Sequence, residues 1–251
     1  MGVADSSCRT WGARVSTADL HLVFDARGDA AEAARRCEAE VFLARFGNTP
    51  EQIAVEYGPY DESSVWLAVM DGDGVAQAAG RLIRPGPAGL KTLDDLRREP
   101  WRIDPVLAAR RAGVRPAVSW ESATFAVRPG LRRRGYDAME ALFYGLAVGS
   151  LVNAFEAVVA VIDDQVLRLF GSIGLFLHPF PGTRPGPYLG SPRSSALYAF
   201  TDEILATQRR VAPDKWWAIT TGEGIRGISV PAPETMRLPP PKPAAAEPAS
   251  A

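Results

Sequence analysis

A strand with one carboxylate leads into a run of arginines and a glycine at a helix start, in the segment SWESATFAVRPGLRRRGYDAMEALF. The carboxylate is Glu121, and the run is Arg132, Arg133, Arg134 and Gly135. The first N–H groups of a helix have no internal partner, and the helix dipole adds positive potential there. A glycine lets backbone approach a ligand closely, and arginines add charge-assisted hydrogen bonds. Residues 132–135 are therefore a candidate phosphate site, although an arginine run taken alone is usually a solvated helix start.

Glu121 lies in the middle of the predicted strand 117–127. The two-residue alternation of a strand predicts that it shares one face with Ala123, Phe125 and Val127. A carboxylate on an apolar face has a raised pKa, which suits a general base that works near neutral pH. The alternative is a carboxylate that pairs with a structural arginine such as Arg81 in the strand AQAAGRLI.

The hydrophobic pattern predicts an α/β fold of the α+β type, because an antiparallel hairpin is followed by a β-α-β unit. This order predicts a mixed, mostly antiparallel sheet flanked by helices. The predicted strands are 21–26, 63–71, 75–85, 117–127, 155–163 and 194–200, and the predicted helices are 30–47, 131–151, 163–174 and 201–210.

The composition excludes several classes of function. With 28 Lys and Arg against 29 Asp and Glu, the chain shows no general affinity for nucleic acid or an anionic membrane. Two cysteines and two histidines make neither a disulfide framework nor a His-based metal site. No apolar run approaches the roughly 18 residues that span a bilayer, so we expect a cytoplasmic protein without metal.

The chain is predicted to hold one folded domain with appendages. We expect an N-terminal extension at 1–18, the domain at 19–210 and a C-terminal extension with the Trp216–Trp217 pair at 211–227. From residue 228 the sequence becomes rich in proline and alanine, and such a composition predicts a disordered tail over 228–251.

The strand, the V-R-P turn, the arginines and the following helix resemble the GNAT acyltransferase superfamily, whose phosphate loop reads Arg/Gln-x-x-Gly-x-Gly/Ala. Arg132, Arg133, Arg134 and Gly135 match that pattern, but Asp137 stands where it has Gly or Ala. An acid beside a pyrophosphate is unfavourable by roughly a kcal/mol. The resemblance implies a GNAT-like fold and a donor that carries phosphate.

Over residues 20 to 200, a narrower resemblance is to acyl-homoserine-lactone synthases and long-chain N-acyl amino acid synthases. It rests on the segments RRCEAEVFLARFG, EYGPYDESSVWLAV, GRLIRP and SWESATFAVRP. The matching positions are Phe42, Glu56, Tyr60, Asp61, Arg81, Leu82, Glu121 and Phe125. The departures are Glu38 for the first arginine, Gly58 for the first aspartate, and Ala123 and Thr124 for a Ser-Arg pair.

The resemblance implies that the amine of an amino acid or homoserine-lactone-like acceptor attacks an acyl thioester, with Glu121 as the base, directly or through water. Arg81 would bind a carboxylate of the acceptor, or it would only hold Glu121 or Asp61. Asp61 would order the acceptor amine, or it is a turn residue. The donor implied is an acyl-phosphopantetheine thioester, on an acyl carrier protein or on coenzyme A, held as a co-substrate by Arg132–Gly135. No cofactor is expected to be bound permanently.

Four aromatic residues either line an acyl pocket or pack the core, and core packing is the commoner role: Trp66, Trp120, Phe143 and Phe170. Two other functions stay open. One is a conventional acetyl-CoA-dependent GNAT acetyltransferase, against which Asp137 and the segment around Asp61 argue. The other is a non-catalytic GNAT-like module that binds a ligand or partner, which the departures at Glu38 and Gly58 favour.

Overall fold

The computed structural model describes residues 20–131 and 134–239. The predicted N-terminal extension, Arg132, Arg133 and the last twelve residues of the tail lie outside the described residues, so their predictions stay predictions.

One sheet with nine strands forms the centre of the described domain, in the order β6-β8-β5-β4-β3-β2-β1-β9 with β7 paired to β8. Two neighbouring pairs, β4–β5 and β1–β9, are parallel, and the others are antiparallel. The predicted mixed, mostly antiparallel sheet is confirmed. The strands are β1 (Leu20–Phe24), β2 (Ser64–Met70), β3 (Ala76–Ile83), β4 (Ser119–Val127), β5 (Ala157–Asp163), β6 (His178–Pro179), β7 (Gly186–Tyr188), β8 (Ser191–Phe200) and β9 (Ile228–Ser229).

Helices cover both faces of this sheet. Alternate residues of β2 show the two layers, because Leu67 packs beneath α5 whereas Trp66 packs beneath α1. Among the described helices, none is long and apolar enough to cross a bilayer. The helices are α1 (Gly28–Phe46), α2 (Pro50–Tyr57), α3 (Lys91–Asp95), α4 (Pro105–Ala112), α5 (Arg134–Val152), α6 (Asp164–Ser172), α7 (Thr201–Val211) and α8 (Pro213–Thr221).

A bulge in β4 changes which side chains accompany Glu121. Arg81 of β3 pairs with Thr124, but the next residue of β3 pairs with Ser122, so Ala123 is an extra residue in β4. The extra residue reverses the alternation beyond it. Thr124 therefore lies on the face of Glu121, and Phe125 packs on the opposite face, beneath α5. The prediction that Glu121 shares a face with Phe125 and Val127 was wrong for this reason.

Two glycines let α5 lie close to the sheet. A Cβ atom on Gly145 would come within 3.0 Å of a methyl carbon of Leu67, and a Cβ atom on Gly149 within 2.7 Å of the Trp120 ring. Trp120 itself is fully buried and stacks on Phe155 with ring centroids 4.6 Å apart. Close packing of α5 fixes where its N-terminus meets the end of β4.

The C-terminal segment corrects the prediction of a disordered tail from residue 228. Ile228 and Ser229 form β9 beside β1, and Met236 is completely buried. Pro231 accepts a hydrogen bond from the Tyr144 hydroxyl at 2.7 Å. The composition argument failed because a few apolar side chains, spaced between prolines, suffice to dock a segment on a core that already exists.

We expect Gly149→Ala to destabilise the protein by about 1–3 kcal/mol, because the added methyl group forces α5 away from Trp120. Gly171→Ala in α6 is the matched control, since a Cβ there meets only Phe176 at 3.8 Å. The control should gain up to about 1 kcal/mol from helix propensity. Urea denaturation of both variants measures this, and equal effects would contradict the close packing of α5.

Candidate active site

Glu121 is a buried carboxylate with few partners. Its side chain is 3 % exposed, and its Oε2 accepts a hydrogen bond from the backbone N–H of Thr92 at 2.8 Å. Burial raises the pKa of Glu121 to about 7, and the charge of Asp95 adds to this, whereas the Thr92 N–H and the charge of Lys91 oppose it. A carboxylate with this pKa can accept and release a proton near neutral pH.

A buried lysine lies beside Glu121, and the sequence did not predict it. Lys91 is 1 % exposed, and its ammonium donates to both carboxylate oxygens of Asp95 at 2.9 and 3.0 Å and to the Tyr188 hydroxyl at 2.7 Å. Glu56 lies 3.1 Å away. Tyr188 in turn donates to Asp95 at 2.5 Å. The lysine charge is therefore fully compensated by groups from three different elements.

Arg81 lies on the same face of the sheet and contacts two carboxylates. Its Nε and Nη2 atoms donate to the two oxygens of Glu38 at 3.1 and 2.7 Å, and Nη1 donates to Asp61 at 3.1 Å. The rings of Tyr57 and Trp66 lie on the guanidinium, with centroids 4.6 and 4.4 Å from its carbon. Both Arg81 and Glu38 are buried, and the bidentate contact pairs their opposite charges.

Glu38 and Thr124, which both differ from the synthase pattern, contact each other. The Thr124 hydroxyl donates to Oε1 of Glu38 at 2.5 Å, while Glu38 also binds Arg81. Within the described residues, no hydrogen bond or ion pair joins Arg81 to Glu121. The structure thus brings Arg81 and Asp61 together, and it separates both from Glu121, contrary to the alternative that Arg81 holds Glu121.

The strands β4 and β5 separate next to Glu121. Their parallel pairing covers only three positions and ends where Glu121 pairs with Val159. Beyond that point a cavity of about 110 Å³ opens between the strands. We call it the gap cavity, and its walls include Tyr57, Ser122, Thr124, Ile162, Phe170 and Tyr188.

A second cavity continues from the gap cavity into the core. This deep cavity, about 60 Å³, shares Ser122, Ile162 and Phe170 with the gap cavity. Its lining is almost entirely apolar, and its far wall comes from α7 and α8. The distinguishing residues are Phe143, Ala147, Ala160, Ile204, Leu205 and Ile219. Of the four aromatics singled out in the sequence, Phe143 and Phe170 line this cavity, whereas Trp120 packs the core.

The start of α5, which follows β4 in the chain, lines a third cavity. Gly135 in the first turn lines a cavity of about 230 Å³ together with Val127, Tyr136 and Phe143; we call it the α5 cavity. The Arg134 guanidinium donates to the carbonyl of Gly227 at 3.3 Å. Of the four residues predicted to hold phosphate, Arg134 and Gly135 are described at the helix start, and Arg132 and Arg133 are not described.

Asp61 lines a separate cavity between α1 and α2. This α1–α2 cavity, about 390 Å³, is also lined by Arg36, Glu38, Glu40 and Arg81. Two contacts link it to the gap cavity: the hydrogen bond from Thr124 to Glu38, and the Tyr57 ring on the Arg81 guanidinium. Of the predicted catalytic residues, Asp61 and Arg81 line this cavity, whereas Glu121 lines neither cavity and directly precedes Ser122, which lines the gap cavity.

We expect the ionisation of Glu121 to make stability depend on pH. Because its folded pKa is raised from 4.5 to about 7, the folded state binds more protons, and the free energy of unfolding falls as pH rises between these values, by up to about 3 kcal/mol. Glu121→Gln removes this loss. The stability of the variant relative to the wild type should therefore rise between pH 5 and pH 8 in denaturant titrations.

Glu62→Gln, at an exposed position, is the control for loss of a carboxylate in general. A relative stability of Glu121→Gln that is flat across this range would show that the Glu121 carboxyl does not titrate near pH 7.

No family model matches the chain, and no curated protein matches it in sequence. Solved structures do match. FeeM, an N-acyl amino acid synthase from uncultured soil microbes, superposes with a TM-score of 0.55 at 16% identity. The superposition covers 75% of this chain and 95% of the FeeM chain.

BjaI, a CoA-dependent acyl-homoserine lactone synthase solved with SAM and isopentyl-CoA, superposes with a TM-score of 0.57 at 19% identity. The superposition covers 88% of this chain and 95% of the BjaI chain. The AHL synthase LasI gives a TM-score of 0.52 at 18% identity, over 82% of this chain and 96% of its own. At these identities the likeness establishes the fold. The chain has a GNAT-like fold and resembles the acyl-homoserine-lactone and N-acyl amino acid synthases.

Proposed function

We propose that this protein is an N-acyltransferase that moves an acyl chain from a phosphopantetheine thioester to an amine. The observation that carries the proposal is the position of the gap between β4 and β5. It opens next to Glu121, a carboxylate whose pKa burial raises to about 7, and it adjoins the apolar deep cavity, which shares Phe143 with the α5 cavity. A donor with a phosphate, a thioester and an acyl chain needs three such neighbouring regions.

The donor would enter from the α5 side. Its phosphate would lie at the free N–H groups of the helix start, near Gly135 and with Arg132, Arg133 and Arg134 as charge partners. Its pantetheine arm would follow the gap, where the backbone of β4 beyond Glu121 has no partner from β5. Unpaired strand groups can bond the amides of the arm and the thioester oxygen.

The acyl chain would occupy the deep cavity. Burial of each CH₂ group contributes about 0.8 kcal/mol. An apolar cavity therefore binds an acyl group with several CH₂ groups more tightly than an acetyl group. A cavity of about 60 Å³ has room for a few CH₂ groups, which favours a short acyl chain over the acetyl group of a conventional acetyltransferase. Either acyl carrier protein or coenzyme A can present the chain, since the arm and the thioester are the same in both.

In the reaction, the amine nitrogen attacks the carbonyl carbon and the carbon–sulfur bond breaks, giving an amide and a thiol. The proton that the amine loses would pass to Glu121, directly or through water, and a proton is returned to the leaving sulfur. Net charge is unchanged, and no covalent acyl-enzyme is needed. Asp61 and Arg81 line the α1–α2 cavity. They would help to position the acceptor through Glu38 and Thr124, and they would take no part in the proton transfer.

We expect Glu121→Gln to lower the rate of amide formation about 10²- to 10⁴-fold, as loss of a general base does, while the circular dichroism spectrum stays unchanged. Purified protein would be given acyl-CoA and acyl-carrier-protein thioesters of graded length in separate reactions, and free thiol and N-acyl product would be measured. The Glu62→Gln variant should retain wild-type activity. An equally active Glu121→Gln variant would instead support a non-catalytic or differently catalysed site.

Two substitutions in the deep cavity should shift chain-length preference in opposite directions. Ala147→Leu on α5 fills the cavity and should favour chains shorter by a few carbons. Ile204→Ala on α7 enlarges it and should favour longer chains. Competition among thioesters of graded length measures both, and a parallel shift of the two variants would place the acyl chain elsewhere.

A further inference from the structure

We propose that a groove between α3 and α4 binds an amphiphile that carries a single carboxylate on an apolar chain. The groove shares no lining residue with the gap cavity, the deep cavity, the α1–α2 cavity or the α5 cavity. The inference therefore goes beyond the acyltransfer proposed above and does not depend on it. It follows from the volume of the groove, its apolar lining and the arginines that border it.

The α3–α4 groove is larger than each of the four cavities described above. Its volume is about 620 Å³, within the range of about 300–1,000 Å³ that is typical of small-molecule sites. Residues in and next to α3 supply one part of the lining, α4 supplies another, and the segment 113–117 that leads towards β4 supplies the rest. The groove is thus built by three segments rather than by one exposed helix face.

Apolar side chains form most of this lining. Leu90, Ala109 and Val114 are buried and belong to the hydrophobic core, so this part of the groove is held in place by packing. Val106 on α4 also lines the groove, and it is 69 % exposed. An alkyl chain that covers Val106 removes apolar surface from water on both molecules, which is favourable.

Two arginines of the groove have no carboxylate partner within the described part of the chain. Arg97 follows α3, Arg110 lies on α4, and both are exposed. Three neighbouring arginines differ, since each lies within 4 Å of a glutamate: Arg98, Arg102 and Arg115. Arg97 and Arg110 can therefore donate charge-assisted hydrogen bonds to a ligand carboxylate without breaking an ion pair.

The groove carries an excess of positive charge. Among the described residues that line it, Asp94 is the sole acid, and it accepts a hydrogen bond from the Tyr60 hydroxyl at 2.6 Å. Arg115 also lines the groove, but its charge is balanced by Glu156. The two unpaired arginines and the one aspartate leave a single positive charge, which a ligand with one carboxylate neutralises.

The apolar lining and the positive charge have to be satisfied by the same ligand. A small inorganic anion would leave the apolar side chains in contact with water, and an uncharged hydrocarbon would leave both arginines without a partner. An alkyl chain that ends in a carboxylate satisfies both requirements. Free fatty acids and N-acyl amino acids share this chemistry.

The test measures binding of decanoate to the full chain by calorimetry, below the concentration at which decanoate forms micelles. We expect one saturable site that binds decanoate about tenfold or more tightly than butyrate, which lacks the long chain, or decylamine, which reverses the charge. N-decanoylglycine is the second probe, and the tighter of the two carboxylates identifies a fatty acid or an N-acyl amino acid as the ligand. No saturable binding of either carboxylate, or equally tight binding of decylamine, would overturn the inference.

Two matched pairs of variants locate the site. Val106→Glu adds a negative charge inside the groove, whereas Leu107→Glu adds it at the next residue, which is exposed but does not line the groove. Arg110→Gln removes a cation of the groove, whereas Arg111→Gln removes an exposed cation beside it. In each pair the first variant should weaken decanoate binding about tenfold, and the second should leave it unchanged.

A variant of the deep cavity separates this inference from the acyltransferase. Ala147→Leu fills the deep cavity and should leave decanoate binding at the groove unchanged. If Ala147→Leu abolished binding while Val106→Glu and Arg110→Gln did not, decanoate would occupy the proposed acyl site and the inference would be wrong. Absence of acyl transfer with any thioester would count against the proposed function alone, because the binding measurement needs no turnover.

Discussion

The site depends on the short parallel pairing of β4 with β5. Three residue pairs hold the two strands together and end at Glu121, while β5 continues its antiparallel pairing with β8 through Asp163. The sheet is therefore continuous on one side of the gap and interrupted at its centre. An interrupted sheet costs backbone hydrogen bonds. The interruption leaves a cavity between layers that are otherwise closely packed, and this cavity is lined by the β4 residues that follow Glu121.

Much of the fold was predictable, because the strongly periodic segments keep their local preference. The helix at 30–47, the hairpin around Gly72–Gly74 and the buried strand at 155–163 all form near their predicted bounds. The sequence analysis missed α2 although Thr49 and Gln52 form a capping box around Pro50, a signal that was present and not used. The bulge at Ala123 had no such signal. It depends on how β3 pairs with β4, which no local pattern encodes.

The site was less predictable than the fold, since its charges are paired across distant parts of the chain. Glu121 was found because a lone carboxylate in a strand is conspicuous. Lys91 was not, because a lysine four residues before an aspartate is typical of any exposed helix. Its burial follows from Glu56 and Tyr188, which lie 35 residues before it and 97 residues after it and reach it only in the folded sheet.

Unequal pairing of the buried charges separates structure from function. Arg81, Lys91, Glu38 and Asp95 each have two or more close partners of opposite charge or matching hydrogen-bond type, so removing any one of them leaves a buried charge exposed to an apolar environment. Glu121 has one backbone N–H and is raised in pKa by its surroundings. If this residue contributed only to stability, a glutamine would cost less to bury, because it carries no charge. A buried acid that the fold tolerates at a cost, next to a cavity between two strands, fits the general-base role proposed for Glu121.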